Sequence, residues 1–108
     1  MQQKWQTLEK LETLLKERKS ADPVSSYVAK LYAKGDRKIA QKVGEEAVET
    51  AMAVAADDNH ELVKESADLL FHLMVLLEAR DLSLNDVASE LAQREGLSGL
   101  TEKASRSE

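Results

Sequence analysis

The chain has 108 residues, of which 43% are hydrophobic and 32% charged, which is enough apolar material for one folded domain and too much for a disordered chain. Its formal net charge of −5 argues against nucleic-acid partners, because binding to the phosphate backbone needs a surplus of lysine and arginine. Since cysteine is absent, disulfides, thiolate metal sites and cysteine nucleophiles are excluded, and any metal must bind oxygen or imidazole.

Composition also indicates the fold class and the compartment. Alanine, leucine, glutamate and lysine are abundant, whereas the chain has only four glycines and one proline, a balance that favours helices and predicts an all-α protein. The residues from Met1 to Gln6 lack the apolar stretch of a signal peptide, and no run approaches the roughly 20 apolar residues of a membrane span. We therefore expect a cytoplasmic protein without a membrane partner.

Two helices are predicted before Gly35. The first carries apolar residues at helical spacing and ends before Pro23, because proline disfavours helix at the preceding residue. Ser25 or Ser26 can cap the short second helix, which Gly35 closes. The apolar residues are Trp5, Leu8, Leu11 and Leu15 in the first helix and Val28, Leu31 and Tyr32 in the second.

Two longer helices follow. The third begins at Asp36 and ends near Asp57, with charged residues opposite an apolar stripe. Asp58, with Glu61 three positions later, caps a fourth helix that reaches Arg80. The stripe of the third helix consists of Ile39, Val43, Ala47, Ala51 and Val54.

The second half of the fourth helix, residues 69–77, is apolar on nearly every side. Such a helix must be covered from several directions, which a 108-residue monomer can hardly achieve, so we predict a homodimer that packs through the apolar helices. Ser83 caps a final helix that Gly96 stops, and the polar residues 97–108 are expected to be mobile. The prediction is a single domain over residues 1–96, built as a bundle of four to five helices.

An acidic cluster is the first candidate functional feature. Glu45, Glu46 and Glu49 fall within about a 100° sector of the third helix. Glu65 and Asp68 lie about 60° apart on the fourth helix. If the two helices form an antiparallel hairpin, both groups stand at a similar height and should meet.

Five carboxylates in one crevice require a cation. A single pair 5 Å apart repels by about 3 kcal/mol at an effective dielectric constant near 20. Oxygen ligands of this kind suit Mg²⁺ or Mn²⁺, and Mg²⁺ typically joins a few carboxylates to substrate phosphates. An isolated EExxE is more often a solvated acidic face, but the paired ExxD, placed just before the apolar segment, favours a metal site.

A basic stretch precedes the acidic one. Between Val24 and Gly44 there are five lysine and arginine residues and one aspartate, a balance of +4. Four of the lysines step by four residues, a spacing at which like charges destabilise a helix. A polyphosphate ligand explains them better than stability does, although scattered surface lysines remain an alternative. These lysines are Lys30, Lys34, Lys38 and Lys42.

His72 lies one helical turn beyond Asp68. It can orient one of the carboxylates, or it can be a core histidine whose ring is satisfied by hydrogen bonds.

These residues together resemble the all-α NTP pyrophosphatases, including the MazG-like proteins, which carry EExxE, a spacer and ExxD on successive helices. The chain has Glu45-Glu46-x-x-Glu49, fifteen intervening residues and Glu65-x-x-Asp68. Within that group it is more similar to the phosphoribosyl-ATP pyrophosphohydrolase family of histidine biosynthesis, over roughly residues 5–96. The blocks that carry this similarity are SYVAKL at 26–31, KVGEEA at 42–47 and ADLLFHL at 67–73.

The resemblance implies a MazG-like bundle and Mg²⁺-dependent hydrolysis of phosphoribosyl-ATP to phosphoribosyl-AMP and pyrophosphate, the second step of histidine biosynthesis. We expect Glu45, or whichever carboxylate the metal does not fully engage, such as Glu46, to take the proton from the attacking water. The expected metal ligands are Glu46, Glu49, Glu65 and Asp68. The expected phosphate-neutralising residues are Lys30, Lys34, Lys38 and Lys42.

Two other functions remain open at this point. One is a housekeeping pyrophosphatase of the MazG type that acts on ordinary or damaged nucleoside triphosphates. The other is a non-catalytic helical dimerisation module, in which the acidic groups are solvated surface. A ferritin-like di-iron bundle is disfavoured, because it needs Glu-x-x-His on two helices and neither histidine follows a glutamate by three.

Overall fold

The computed structural model describes residues 4–95, which form helices joined by short connections and, within that range, no strand. The five α-helices are α1 (Gln6–Glu17), α2 (Tyr27–Lys34), α3 (Asp36–Ala55), α4 (Asn59–Ala79) and α5 (Leu84–Arg94), and a 3₁₀ turn (Arg18–Ser20) follows α1. The all-α class is therefore confirmed. The predicted stop at Gly96 and the tail at 97–108 lie outside the described residues.

Local hydrogen bonding explains where the helices begin. The Ser26 hydroxyl accepts from the backbone N–H of Ala29 at 3.2 Å, so Ser26, and not Ser25, caps α2. The carboxylate of Asp58 accepts from the N–H of Glu61 at 3.0 Å and caps α4. At α5, Ser83 forms a reciprocal capping box with the residue three positions later. Each cap satisfies N–H groups that the first helical turn leaves unpaired.

Glycine is required where α2 passes into α3. Gly35 has φ 92° and ψ 167°, a backbone conformation that residues with a Cβ rarely adopt. Its N–H donates to the carbonyl of Tyr32, and its own carbonyl accepts from Ile39. One residue therefore ends α2 and begins α3, so that the two helices follow each other without a loop.

Helices α3 and α4 form a hairpin, and their contact is the most extensive in the fold. The turn spans residues 56–58, and Asp57 adopts a left-handed conformation with φ 57°. The N–H of Asp58 donates back to the carbonyl of Ala53 at 3.1 Å, the six-to-one bond that closes a helix after a left-handed residue. Because the connection is short, the helices run antiparallel, and residues at equal distance from the turn face each other.

The hydrophobic core lies where α1 and α2 pack on the far end of the hairpin from this turn. Leu15, Ile39, Met74 and Val75 are almost completely buried, and Val28 and Leu31 of α2 complete the cluster. The Tyr32 hydroxyl donates to the carbonyl of Leu15 at 2.9 Å. Burial, together with the nearby Glu78, raises the pKa of Tyr32 to about 12.

The apolar stripe of α3 faces out of the chain along most of its length. Helix α3 buries Ile39, Glu46 and Ala53, which recur every seven residues on the face toward α4. Of the predicted stripe only Ile39 is buried, whereas Val54 is 62% exposed and Ala51 is also exposed. The half-buried leucines of α4 are likewise left partly uncovered. Among the described helices, none is both long and apolar enough to cross a bilayer.

Candidate metal and phosphate site

The hairpin brings together carboxylates from both of its helices. Glu46 and Glu49 of α3 and Glu65 of α4 each offer one oxygen atom, and these atoms lie within 4.8 Å of one another. Glu46 and Glu49 stand one turn apart on α3, and Glu65 lies opposite them on the antiparallel α4. We call these three residues the carboxylate cluster. Three of the five acidic residues predicted for the site therefore meet.

The carboxylate cluster contains acceptor atoms that the described chain does not satisfy. Glu46 is only 6% exposed, and its Oε1 is buried without a hydrogen-bond donor among residues 4–95. Oε1 of Glu65 is in the same situation. An ionised carboxylate loses hydration on burial and needs a donor or a cation in exchange. Because the oxygens of an ionised carboxylate can only accept, the arrangement fits a divalent cation with oxygen ligands.

The pKa of Glu65 reflects the uncompensated negative charge of the carboxylate cluster. A hydrogen bond with the Glu61 carboxyl, then burial, then the proximity of Glu49, raises the pKa of Glu65 to about 7. A carboxyl group among carboxylates holds its proton, because two adjacent negative charges repel. A divalent cation held by the carboxylate cluster would supply that compensation instead, and its ligands would be the ionised carboxylates.

Two of the predicted acidic residues lie beside the carboxylate cluster. The side chains of Asp68 and Glu45 are exposed, and neither belongs to the group whose oxygens converge. Glu45 accepts a hydrogen bond from Nε2 of Gln41 at 3.0 Å. That bond, assisted by the charges of Lys42 and Lys38, lowers the pKa of Glu45. Glu45 is therefore ionised at neutral pH.

A cavity of about 530 Å³ opens next to the carboxylate cluster, between α2 and the first half of α3. We call it the basic pocket. It contains three of the four lysines that the sequence singled out, whereas Lys30 is exposed on α2 and is not among the described lining residues. The pocket is lined by Tyr27, Leu31, Lys34, Lys38, Gln41 and Lys42.

Lys42 connects the basic pocket to the carboxylate cluster. Its Nζ lies 3.3 Å from Oε2 of Glu46 and 3.8 Å from Oε1 of Glu45. The hydrogen bond with Glu46 raises the pKa of Lys42. Positive and negative side chains therefore meet at one point of α3, with the lysines on one side and the unsatisfied carboxylate oxygens on the other.

A second cavity, of about 300 Å³, lies on the side of the carboxylate cluster toward the hairpin turn. Glu49, Glu61 and Glu65 line it, together with the small residues at the end of α3. The carboxylate cluster is thus open on its side toward the turn, and it adjoins the basic pocket through the contact of Lys42 with Glu46.

His72 is a core histidine with a satisfied ring, one of the two interpretations that the sequence allowed. It is 6% exposed. Its Nδ1 lies 2.8 Å from the carbonyl oxygen of Asp68, and its Nε2 lies 2.9 Å from the hydroxyl of Tyr27. It contacts the backbone of Asp68, and its ring links that part of α4 to the basic pocket.

The sequence interpretation did not single out three residues that the structure places at the site: Tyr27, Gln41 and Glu61. Gln41 could have been found from its position, since it stands one turn before Glu45 and one turn after Arg37 on a face rich in charge. Glu61 was considered only as a capping residue. Tyr27 carried no signal of its own, because its role depends on a partner 45 positions away.

Comparison with known proteins agrees with the geometry. A family profile described as phosphoribosyl-ATP pyrophosphohydrolase matches residues 8–95. The chain is 61% identical to a phosphoribosyl-ATP pyrophosphatase of Novosphingobium aromaticivorans over 100 residues, which cover 93% of this chain and 94% of the relative. It is 59% identical to one of Erythrobacter litoralis over 100 residues, covering 93% and 96%. It is also 59% identical over 87 residues to a bifunctional histidine biosynthesis protein of Vibrio cholerae, covering 81% of this chain and 41% of that protein.

Proposed function

The chain belongs to the phosphoribosyl-ATP pyrophosphohydrolase family, and on that premise we propose that it hydrolyses phosphoribosyl-ATP to phosphoribosyl-AMP and pyrophosphate, the second step of histidine biosynthesis. The observation that carries the proposal is the contact of Lys42 with Glu46, 3.3 Å apart. This contact places the basic pocket next to the carboxylate cluster. A polyphosphate needs the lysines to neutralise its charge, and its metal needs the carboxylates as ligands.

We propose Mg²⁺, with Mn²⁺ as a substitute, as the metal. Glu46, Glu49 and Glu65 would hold it through the oxygens that converge within 4.8 Å, and Asp68, one turn after Glu65, would join them from the flank. When bound, a divalent cation neutralises phosphate charge and polarises the phosphoanhydride bond. The deprotonated form of Glu65 is the one that binds metal.

Glu45 is the proposed general base. Its lowered pKa keeps it ionised, and its exposed carboxylate can reach a water molecule beside the carboxylate cluster. Glu46 is the alternative, since its Oε1 has no donor in the described chain. The base removes the proton from water while the water oxygen forms a bond to one phosphorus of the cleaved anhydride, and the bond from that phosphorus to the bridging oxygen breaks, which gives phosphoribosyl-AMP and pyrophosphate.

The lysines are proposed to bind phosphate oxygens. Lys42, Lys38 and Lys34 line the basic pocket and offer charge-assisted hydrogen bonds to phosphate. Lys30 remains a proposed contributor through its charge, although it is not among the described residues that line the pocket. Hydrogen bonds from Lys38 to Gln41 at 3.3 Å and from Gln41 to Glu45 order this face of α3 before substrate arrives.

A homodimer is proposed to cover the outward apolar face, which consists of Ala47, Ala51 and Val54 of α3 with Leu69, Leu73 and Leu77 of α4. The α3 residues are exposed, Val54 by 62%, and the α4 leucines are half-buried. A further apolar cavity of about 370 Å³ lies along the same hairpin, against Leu76 and Leu77. Contiguous apolar surface of this kind marks an interface, and two copies meeting through it would bury both hairpins.

The proposed setting is the cytoplasm, with a small nucleotide as substrate and with neither nucleic acid nor membrane as partner. The net charge of −5 supports the exclusion of nucleic acid, because a negative protein is repelled by the phosphate backbone.

The test is a comparison of substrates. Pyrophosphate release is measured with Mg²⁺ from phosphoribosyl-ATP and from a panel of ordinary and damaged nucleoside triphosphates. Preference for phosphoribosyl-ATP is the expected result. Preference for a plain triphosphate would instead assign a housekeeping pyrophosphatase, and no release from any of them would favour the dimerisation module.

A further inference from the structure

Tyr27 is held rigidly at the wall of the basic pocket. Its hydroxyl lies 2.9 Å from Nε2 of His72. Its ring lies 6.4 Å from that of Phe71, centroid to centroid, with the planes 21° apart. The edge of the His72 ring approaches at 6.0 Å and 87°. Yet 53% of the Tyr27 surface is exposed, so a ring fixed by two neighbours still presents area to the pocket.

The direction of the Tyr27 hydrogen bond follows from its partner. Nδ1 of His72 lies 2.8 Å from the carbonyl oxygen of Asp68, which can only accept, so Nδ1 carries the hydrogen. In the neutral imidazole the other nitrogen then has a free lone pair. Nε2 therefore accepts from the Tyr27 hydroxyl, and both the position and the orientation of the phenol are set by α4.

The basic pocket combines apolar and charged side chains. Tyr27 and Leu31 of α2 contribute apolar surface, and the lysines contribute positive charge. Lys42 contacts Glu46 of the carboxylate cluster. A nucleotide whose phosphates lie at Lys42 and the carboxylate cluster can therefore place its base, one ribose away from the phosphates, against Tyr27 in the same pocket.

We propose that Tyr27 is the residue on which the purine base of the substrate stacks, an inference that rests on the proposed function for the identity of that substrate. Phe71 packs beside the phenol with 6.4 Å between the ring centroids, and the exposed part of the Tyr27 ring receives the base. Because His72 and Phe71 order the ring beforehand, little side-chain entropy is lost when the base binds.

The experiment compares a ligand that has a base with one that lacks it. Binding of the non-hydrolysable α,β-methylene analogue of ATP and of inorganic tripolyphosphate is measured by calorimetry, with Mg²⁺, on the full chain. Tyr27→Leu removes the aromatic ring and should weaken binding of the analogue about 5- to 100-fold, the range for loss of one stacked base. Binding of tripolyphosphate should change by less than about twofold, because it makes no stacking contact.

Two further variants separate the ring from the hydroxyl. Tyr27→Trp keeps an aromatic face and should retain binding of the analogue. Tyr27→Phe loses only the bond to His72 and should lose far less affinity than Tyr27→Leu. Equal weakening of both ligands by Tyr27→Leu, or no weakening of the analogue, would overturn the proposal.

A measurement on the unmodified protein covers the case in which Tyr27→Leu does not fold. In the NMR spectrum, the ring protons of Tyr27 should shift when the ATP analogue is added and stay in place with tripolyphosphate, since only a base carries a ring current. Unchanged Tyr27 signals with bound analogue would refute stacking. Neither measurement needs turnover. If the analogue stacked on Tyr27 but the protein released no pyrophosphate from phosphoribosyl-ATP, that result would contradict the proposed function and leave the stacking proposal intact.

Discussion

Nζ of Lys42 lies 3.3 Å from Oε2 of Glu46, one helical turn away on α3. The lysine is one-third exposed, whereas the glutamate side chain is 8% exposed. This pair therefore joins a charge that faces the basic pocket to a charge that lies inside the hairpin. It is the contact through which a phosphate bound at the lysines and a metal bound at the carboxylates would influence each other.

Replacing Lys42 by methionine should lower kcat/KM for phosphoribosyl-ATP on the order of 10- to 100-fold, because a charge-assisted phosphate contact is lost and Glu46 loses its counter-charge. Lys10→Met is the matched control, since it removes the same charge from an exposed position on α1. Steady-state kinetics on both variants, with thermal unfolding to check the fold, test this. Equal losses in the two variants would mean that only overall charge matters.

Replacing Glu49 by glutamine should reduce turnover on the order of 100-fold or more, because an amide is a poorer metal ligand than a carboxylate of the same shape. Asp68→Asn should have the same effect if its side chain joins the metal. The fold should be kept, since removing one of several adjacent negative charges relieves repulsion. Glu9→Gln on α1 is the control for charge alone. Full activity in Glu49→Gln would refute the metal site.

The pKa of Glu65, raised to about 7 from its ordinary 4.5, predicts how pH and Mg²⁺ act together. Because the folded state binds the proton more tightly than the unfolded state, the metal-free protein should lose stability as pH rises from about 4.5 to about 7. Mg²⁺ needs the ionised carboxylate, so its stabilising effect should grow over the same range.

Melting temperatures at about pH 5 and about pH 8, with and without Mg²⁺, measure both effects. The increase caused by Mg²⁺ should be larger at the higher pH. Glu65→Gln removes the titrating group and should flatten the dependence. If Mg²⁺ raised the melting temperature equally at both values in the unmodified protein, Glu65 would not be a ligand.

Ala51→Arg tests the homodimer. A charged side chain at this exposed position of the outward apolar face should dissociate the dimer, because an unpaired charge cannot be buried between two apolar surfaces. Val24→Arg, in the connection before α2 and 87% exposed, is the control and should leave association unchanged. Sedimentation velocity distinguishes the two. A monomeric unmodified chain at micromolar concentration would contradict the dimer itself.

Helix positions were predictable because their causes are local. Ser26, Asp58 and Ser83 each satisfy an N–H group within the next turn, and Gly35 supplies a conformation that a side chain would oppose. Such interactions involve residues three or four positions apart, so the order of residues nearly decides them. The choice between Ser25 and Ser26 needed the structure, since both lie at the start of the same helix.

Helical periodicity predicted which acidic residues share a side of one helix, but not which of them face the neighbouring helix. Glu45, Glu46 and Glu49 share a sector about 100° wide, and periodicity alone does not say which part of that sector faces α4. The rotation of α3 against α4 turned Glu46 and Glu49 toward Glu65 and left Glu45 on the flank. The same rotation exposed Val54 and Ala51 of the apolar stripe.

By itself, the sequence determined the helices, the caps at Asp58 and Ser83, and the pairing of an acidic motif with a basic stretch, because spacing along a helix is set by backbone geometry. The tertiary structure decided which carboxylates converge, that Lys42 bridges to Glu46, and that His72 of α4 orients Tyr27 of α2. Those relationships depend on how helices rotate and pack to bury Leu15, Ile39, Met74 and Val75, and packing acts between residues that are distant in the chain.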